Sequence, residues 1–289
     1  MNASQASTGI SRIKKAFARA KKRQEAVLIP FICGGYETAE CNIAILLAMQ
    51  AAGADIIELG VPCTSPFADG PTIQNSHRVA IENGTKGISG CLRVVEAARS
   101  KGLTTPIILM GYYESFQREY DYDLECMCRA AADGGVDGFL AVGIDEGSHE
   151  INFSQFCHKY GLSNIPLITP GSSNRRVFDL AGMASTFLYA VSVKGQTRAR
   201  DSLPPGLGEH VARVRSKTEL PLVVGFGISS PGMVHEVASV ADGAVVGSFL
   251  TDCLIKTERE MAAEMYHQIS QRKTGTAKKV TNCSTPEAR

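Results

Sequence analysis

Eight short apolar segments alternate with longer segments of helical periodicity along most of this 289-residue chain. Each short segment is apolar nearly throughout, which is typical of parallel strands that are covered on both faces. The segments between them repeat apolar residues three or four positions apart, as amphipathic helices do. The predicted strands span residues 26–32, 55–60, 106–110, 137–142, 165–169, 186–192, 221–226 and 243–247.

Alternation of this kind indicates either a closed barrel or a doubly wound sheet. Eight repeats, and the lack of a GxGxxG motif after the first strand, favour the barrel. No linker rich in Pro, Gly or Ser divides the chain. We therefore predict one α/β domain, a (β/α)₈ TIM barrel over residues 10–271, with an extra basic amphipathic helix near its N-terminus. Residues 1–9 and 272–289 are predicted to be disordered.

The composition excludes several classes of protein. The net charge of +1 provides no electrostatic attraction to nucleic acid or to a membrane surface. The chain has no apolar run long enough to span a bilayer, and its basic N-terminus lacks the apolar core of a secretory signal. The nine cysteines form no CxxC pair and have no histidine at zinc spacing. We expect a cytoplasmic protein with buried thiols, no metal, and no nucleic-acid or membrane partner.

Glu58 is the first candidate catalytic residue. In a barrel enzyme the active site lies at the carboxyl ends of the strands. Strand alternation directs Glu58 to the barrel interior and its neighbours Ile57 and Leu59 to the surrounding helices. An unpaired carboxylate there has a raised pKa, which suits a general acid near neutral pH. Alternatively, Glu58 ends a strand at the wet rim or pairs with a buried base.

Asp69 is the second candidate. It lies in a Pro- and Gly-rich loop over residues 61–76, which is long for a connection between a strand and a helix. We expect this loop to return Asp69 over the barrel mouth. The Asp-Gly pair is also a plain turn signal, and taken alone the turn interpretation is favoured. Together with Glu58, Asp69 predicts a paired acid–base site.

Glycines at the ends of the last two strands predict a phosphate site. Gly227 precedes Ser230, a suitable helix cap, and Gly247 is followed by Ser248 at another helix start. Loops after strands seven and eight of such barrels often bind phosphate through backbone N–H groups. Because no lysine-containing P-loop is present, the phosphate is predicted to belong to a substrate. Glycines are also common at strand ends for turn geometry alone.

Two other features have weaker interpretations. None of the six histidines shows motif spacing. His77 and His235 lie in helical segments, where surface or capping roles are expected. The polar segment 192–200 follows the sixth strand and is a candidate lid.

The pattern ELGVPxxxPxADGPTIQ at residues 58–74 strongly resembles the signature of the tryptophan synthase alpha subunit family. The similarity extends through residues 11–22, 106–113, 224–231 and 240–248, so it covers nearly the whole barrel. It is greatest toward the alpha part of the fused alpha–beta chains of fungi. The resemblance implies cleavage of indole-3-glycerol phosphate to indole and glyceraldehyde 3-phosphate, without a cofactor.

The resemblance also implies roles for individual residues. Glu58 and Asp69 match the catalytic pair, and Thr197 matches a lid threonine that orders the aspartate. Positions around the substrate are matched by Phe31, Tyr112, Tyr189 and Phe226, and phosphate-binding positions by Gly227, Gly247 and Ser248.

The sequence departs from the family pattern at four places, all of them away from the two carboxylates and the phosphate glycines. They are Thr64–Ser65, Glu114–Ser115, Gly143–Asp145 and Arg198. In the family these loops transmit coupling or contact the beta subunit. We therefore predict a stand-alone lyase that releases free indole, for specialised metabolism, and regard a beta partner as possible but doubtful. The alternatives are an alpha subunit that depends on a beta partner and a non-catalytic barrel that binds indole compounds.

Overall fold

The computed structural model describes residues 8–191, 203–225, 227–256 and 267. Its strands are β1 (Val27–Cys33), β2 (Ile57–Gly60), β3 (Ile107–Tyr112), β4 (Gly138–Val142), β5 (Ser163–Asn164), β6 (Leu167–Ile168), β7 (Leu188–Val191), β8 (Leu222–Gly225) and β9 (Gly243–Val246). Its helices are α1 (Gly9–Lys22), α2 (Ala39–Ala51), α3 (Pro71–Glu82), α4 (Gly87–Ser100), α5 (Tyr113–Glu119), α6 (Leu124–Asp133), α7 (Ser148–Lys159), α8 (Asn174–Met183), α9 (Leu207–Arg215), α10 (Pro231–Val240) and α11 (Ser248–Lys256).

Some predictions fall outside the described residues. They are the candidate lid at 192–200 with its Thr197, the aromatic Phe226, nearly all of the predicted disordered start, and the predicted disordered tail. The described chain begins at Thr8, whose hydroxyl accepts a hydrogen bond from the Ser11 N–H and caps α1.

The nine strands form one parallel sheet in the order β5-β4-β3-β2-β1-β9-β8-β7-β6. Its two end strands, β5 and β6, are separated along the chain only by Ile165 and Pro166. The Ile165 N–H donates to the Phe139 carbonyl on β4, and the Tyr189 N–H on β7 donates to the Pro166 carbonyl. These bonds close the sheet, so the predicted TIM barrel is confirmed. The predicted fifth strand is split, because Pro166 has no N–H to continue a ladder.

Strand alternation separates two apolar clusters. Ile56, which precedes β2, lies in the cluster that fills the barrel interior, whereas Ile57 and Leu59 pack in the layer between sheet and helices. This agrees with the alternation predicted around Glu58. The interior cluster draws on most strands and includes Val27, Ile29, Phe31, Ile108, Met110, Leu140, Ile165, Val223 and Val245.

Helix α1 covers the amino end of the barrel, which confirms the predicted extra helix. Ile13, Ala16 and Ala20 repeat at helical spacing and join the interior cluster. Phe17 packs on Phe187, with ring centroids 5.3 Å apart. With this end covered by α1, substrate access is left to the carboxyl ends of the strands.

No helix in the described part of the chain is long and apolar enough to cross a bilayer. The same residues contain no group of three His, Cys, Asp or Glu side chains placed to hold a metal ion. The eight cysteines within them are all free thiols.

Candidate active site

Glu58 points into the barrel from β2. It lies in register with Phe31 on β1 and Ile108 on β3, and only 4% of its surface is exposed. Burial and, to a smaller extent, the nearby charge of Asp69 together raise the pKa of Glu58 from 4.5 to about 8. Glu58 therefore carries a proton at neutral pH and can donate it to a bound molecule.

Asp69 is held over the same space by the loop between β2 and α3. Its backbone N–H donates to the Pro66 carbonyl, and its own carbonyl accepts from the Gln74 amide at 2.8 Å. On the carboxylate, Oδ2 accepts a hydrogen bond of 2.7 Å from the Tyr112 hydroxyl. Asp69 is 1% exposed, so its position is set by contacts within the chain.

A single cavity brings most of the predicted site residues together. Its empty volume is about 460 Å³, a figure that includes the part open to solvent. Tyr112, whose hydroxyl donates to Asp69, is not among the described residues that line this cavity. The predicted residues that line the cavity are Phe31, Glu58, Asp69, Tyr189, Gly227, Gly247 and Ser248.

Two glycines make room for the aromatic walls of the cavity. A Cβ on Gly60 would lie 2.7 Å from the ring of Phe31. A Cβ on Gly225 would lie 1.8 Å from the hydroxyl oxygen of Tyr189. Burial raises the pKa of Tyr189 well above its ordinary value, with a contribution from Glu58. The Tyr189 hydroxyl therefore keeps its proton, and the closely packed ring forms part of the cavity wall near the Glu58 carboxyl.

One end of the cavity suits an anion. Gly227 has a φ of +83°, a conformation that glycine adopts readily. Gly247 and Ser248, which line the same cavity, lie at the start of α11, whose first backbone N–H groups have no partner within the helix. Among the described lining residues there is no Lys or Arg, so backbone dipoles are the groups available there to an anion.

Sequence reasoning missed several residues of this site. Four apolar lining residues, Ile73, Met110, Ile228 and Val245, were not predicted. Met110 and Val245 occupy inward-facing positions of β3 and β9. The strand alternation that predicted the direction of Glu58 could therefore also have identified them.

The expectation of a surface or capping role for His77 is wrong. His77 is 1% exposed, and its Nε2 lies 3.5 Å from Oδ2 of Asp69. It lies four positions after the buried Ile73 on α3, and this spacing is the sequence signal for its burial. His235, by contrast, is half-buried on α10.

Comparison with known proteins identifies related chains. The family model described as tryptophan synthase alpha chain matches residues 17–281. A tryptophan synthase alpha chain of Chloroflexus aurantiacus is 39% identical over 85% of this chain and 90% of its own length. The tryptophan synthase of Saccharomyces cerevisiae is 40% identical over 82% of this chain and 33% of that longer protein. The bacterial and the fungal protein are almost equally identical to this chain. The comparison therefore does not show the greater similarity to fungal fused chains that the sequence predicted.

The structural comparison agrees with the sequence comparison. A solved structure of Mycobacterium tuberculosis tryptophan synthase has a TM-score of 0.82 and 26% identity, covering 92% of this chain and 98% of that one.

Proposed function

This chain belongs to the tryptophan synthase alpha chain family, and on that premise we propose that it cleaves indole-3-glycerol phosphate to indole and glyceraldehyde 3-phosphate. We propose further that it releases free indole without a beta subunit. The observation that supports the chemistry is one cavity that holds two carboxyl groups, one of them protonated near neutrality, beside an end suited to phosphate.

The cavity walls support one orientation of the substrate. The substrate phosphate fits the end lined by Gly227, Gly247 and Ser248, where backbone N–H groups favour an anion. The indole ring then lies toward Phe31 and Tyr189, in the apolar and aromatic part of the cavity. This orientation places the bond between indole and glycerol near Glu58.

In the proposed reaction Glu58 both delivers and recovers one proton. The protonated carboxyl donates to C3 of the indole ring, and the ring nitrogen becomes electron-deficient. The resulting carboxylate then removes the proton from the side-chain hydroxyl adjacent to the ring. The bond between C3 and the side chain breaks, its electron pair returns to the ring, and the aldehyde carbonyl forms. Glu58 ends protonated, so the cycle is balanced.

Asp69 has a different part in the same step. Its carboxylate accepts the indole N–H and stabilises the positive charge that develops on the ring nitrogen. Two carboxyl groups with different environments can therefore perform the acid and the electrostatic functions.

Contacts within the chain support stand-alone activity. The Asp69 carboxylate is held by Tyr112, and its backbone by Pro66 and Gln74, all of which are residues of this chain. The sequence-based doubt about a beta partner, however, finds no support in the comparisons, because the matched relatives are alpha chains of tryptophan synthase or the whole enzyme.

A second candidate is therefore an alpha chain whose rate depends on a beta subunit. Phe67 favours it, since 65% of this side chain is exposed on the loop that carries Asp69. Its ring lies 4.7 Å from that of Tyr112, measured between centroids. A partner that covers Phe67 would thus act on the residue that holds Asp69.

The test is indole release by the purified chain supplied with indole-3-glycerol phosphate. We expect turnover by the wild-type chain. Glu58→Gln is expected to lose about 10²–10⁴-fold or more in kcat, while calorimetry shows that it still binds the substrate. A rate that rises by orders of magnitude when a beta subunit is added would favour the second candidate. Tight binding without cleavage by the wild type would indicate a non-catalytic, indole-binding barrel.

A further inference from the structure

We propose that His77 is a positioning residue for Asp69, and that its neutral imidazole directs an Nε2–H group at the Asp69 carboxylate. This inference rests on the proposed function, in which Asp69 acts on the indole nitrogen. His77 does not line the cavity and is not assigned a contact with substrate.

The first observation is the burial of His77. It lies on the face of α3 that also buries Ile73 and Ala80, and its side chain is 1% exposed. A polar ring in such a place is costly unless its nitrogen atoms have partners. The partners of the two ring nitrogens therefore show what the residue does.

The hydrogen bond to Nδ1 determines where the ring carries its proton. The backbone N–H of Cys63 donates to Nδ1 at 3.2 Å. A nitrogen that accepts a hydrogen bond carries no proton, so in the neutral ring the proton is on Nε2. His77 is thus an acceptor toward the loop and a donor on its other side.

The donor side faces Asp69. Nε2 lies 3.5 Å from Oδ2 of Asp69, and no described residue accepts a well-formed hydrogen bond from it. Hydrogen bonds of active sites are often long without substrate and shorten when it binds. The Tyr112 hydroxyl donates to the same oxygen at 2.7 Å. Donors from β3 and α3 therefore converge on Oδ2.

This arrangement separates two functions of one ring. Cys63 and Asp69 lie at the two ends of the loop between β2 and α3. Nδ1 anchors the beginning of the loop, which is a structural function. Nε2 orients the carboxylate at its end, which is the positioning function. Substitutions that keep one contact and remove the other can distinguish them.

The matched pair is His77→Asn and His77→Gln. The asparagine oxygen can take the place of Nδ1 and accept from Cys63, but its side chain is too short to reach Asp69. The glutamine amide can take the place of Nε2 and donate to Asp69. We expect His77→Asn to lower kcat about tenfold, with KM within about twofold of wild type, and His77→Gln to stay within about threefold in kcat.

A purely structural role predicts the reverse order, with His77→Gln the more damaged variant in both kcat and melting temperature. Equal kcat for His77→Asn and wild type would also overturn the proposal.

A second measurement does not depend on activity or on the folding of a His77 variant. In the ¹⁵N-histidine-labelled wild-type protein, long-range ¹H–¹⁵N correlations report the tautomer of each ring. We expect the Nε2–H tautomer at His77, and we expect its Nε2 resonance to shift in Asp69→Asn. An Nδ1–H tautomer, or an unchanged resonance, would overturn the proposal. If the wild type releases no indole but this signature is found, the proposed function fails and the contact stands.

Discussion

The hydroxyl of Tyr112 donates a 2.7 Å hydrogen bond to Oδ2 of Asp69, joining the end of β3 to the loop before α3. Burial raises the pKa of Tyr112 above its ordinary value, and the neighbouring Asp69 raises it further. The phenol therefore keeps its proton at physiological pH and remains a donor. Because Tyr112 also accepts from the Ala68 N–H at 3.1 Å, it orders both the carboxylate and the backbone next to it.

Tyr112→Phe is expected to lower kcat for indole release about tenfold, because Asp69 loses one charge-assisted hydrogen bond. Tyr113→Phe is the matched control. The Tyr113 hydroxyl is buried, and no residue in the described ranges forms a hydrogen bond with it, so its removal should leave kcat unchanged. Steady-state kinetics of both variants provide the test. Wild-type kcat in Tyr112→Phe would show that the bond does not affect turnover.

Glu58→Gln is expected to stabilise the protein in a pH-dependent way. The pKa of Glu58 is raised from 4.5 to about 8 in the folded state, so between these values the folded state binds more protons than the unfolded state. The contribution of Glu58 to the free energy of unfolding of the wild type therefore falls as the pH rises from about 4.5 to about 8, and it is constant at higher pH. The advantage of the glutamine variant should be absent below pH ~4.5 and reach the order of 5 kcal/mol above pH ~8.

Urea unfolding of Glu58→Gln and wild type at about pH 4.5 and pH 8.5 measures this difference. The control is Glu236→Gln on the exposed part of α10, for which the two pH values should give the same small difference. A Glu58→Gln advantage that does not grow with pH would contradict the raised pKa.

Gly225→Ala is expected to displace the Tyr189 ring. A Cβ there would lie 1.8 Å from the Tyr189 hydroxyl oxygen, and both residues are held in strands of the barrel. Overpacking of this kind costs about 1–3 kcal/mol, and a shifted aromatic wall should raise KM for the substrate.

Gly208→Ala on α9 is the matched control, because nothing lies within 4 Å of its Cβ position. It should raise the free energy of unfolding by about 0.5–1 kcal/mol. Urea unfolding and steady-state kinetics measure both variants. An unchanged KM in Gly225→Ala would contradict the prediction that the position of the Tyr189 ring affects substrate binding.

Ser248→Asp tests the phosphate end of the cavity. The aspartate places a negative charge at the start of α11, where the substrate phosphate is proposed to bind. Repulsion should raise KM about tenfold or more and change kcat little. Ser239→Asp, at an exposed position near the end of α10, has the same change in net charge and should leave KM unaffected. Equal KM values for the two variants would place the phosphate elsewhere.

Local periodicity made much of the fold predictable. Strands buried on both faces require continuous apolar runs, and helices require apolar residues at 3.6-residue spacing, so both can be read without knowing what they contact. The same periodicity predicted that Glu58 faces the barrel interior. The split of the fifth strand was not predicted, although Pro166, which has no N–H, is a sequence signal for an interruption. Only the tertiary structure shows that the residues before Pro166 pair with β4 and those after it with β7.

The sequence by itself determined the barrel, the inward direction of Glu58, and the glycines at the ends of the last strands, because these follow from residue order and chain geometry. Only the tertiary structure decided that Tyr112 and His77 both face Asp69. The two residues lie 43 and 8 positions from Asp69 along the chain. These separations do not predict that β3 and α3 direct side chains to the same carboxylate. Such convergence arises from packing between elements, which no local pattern encodes.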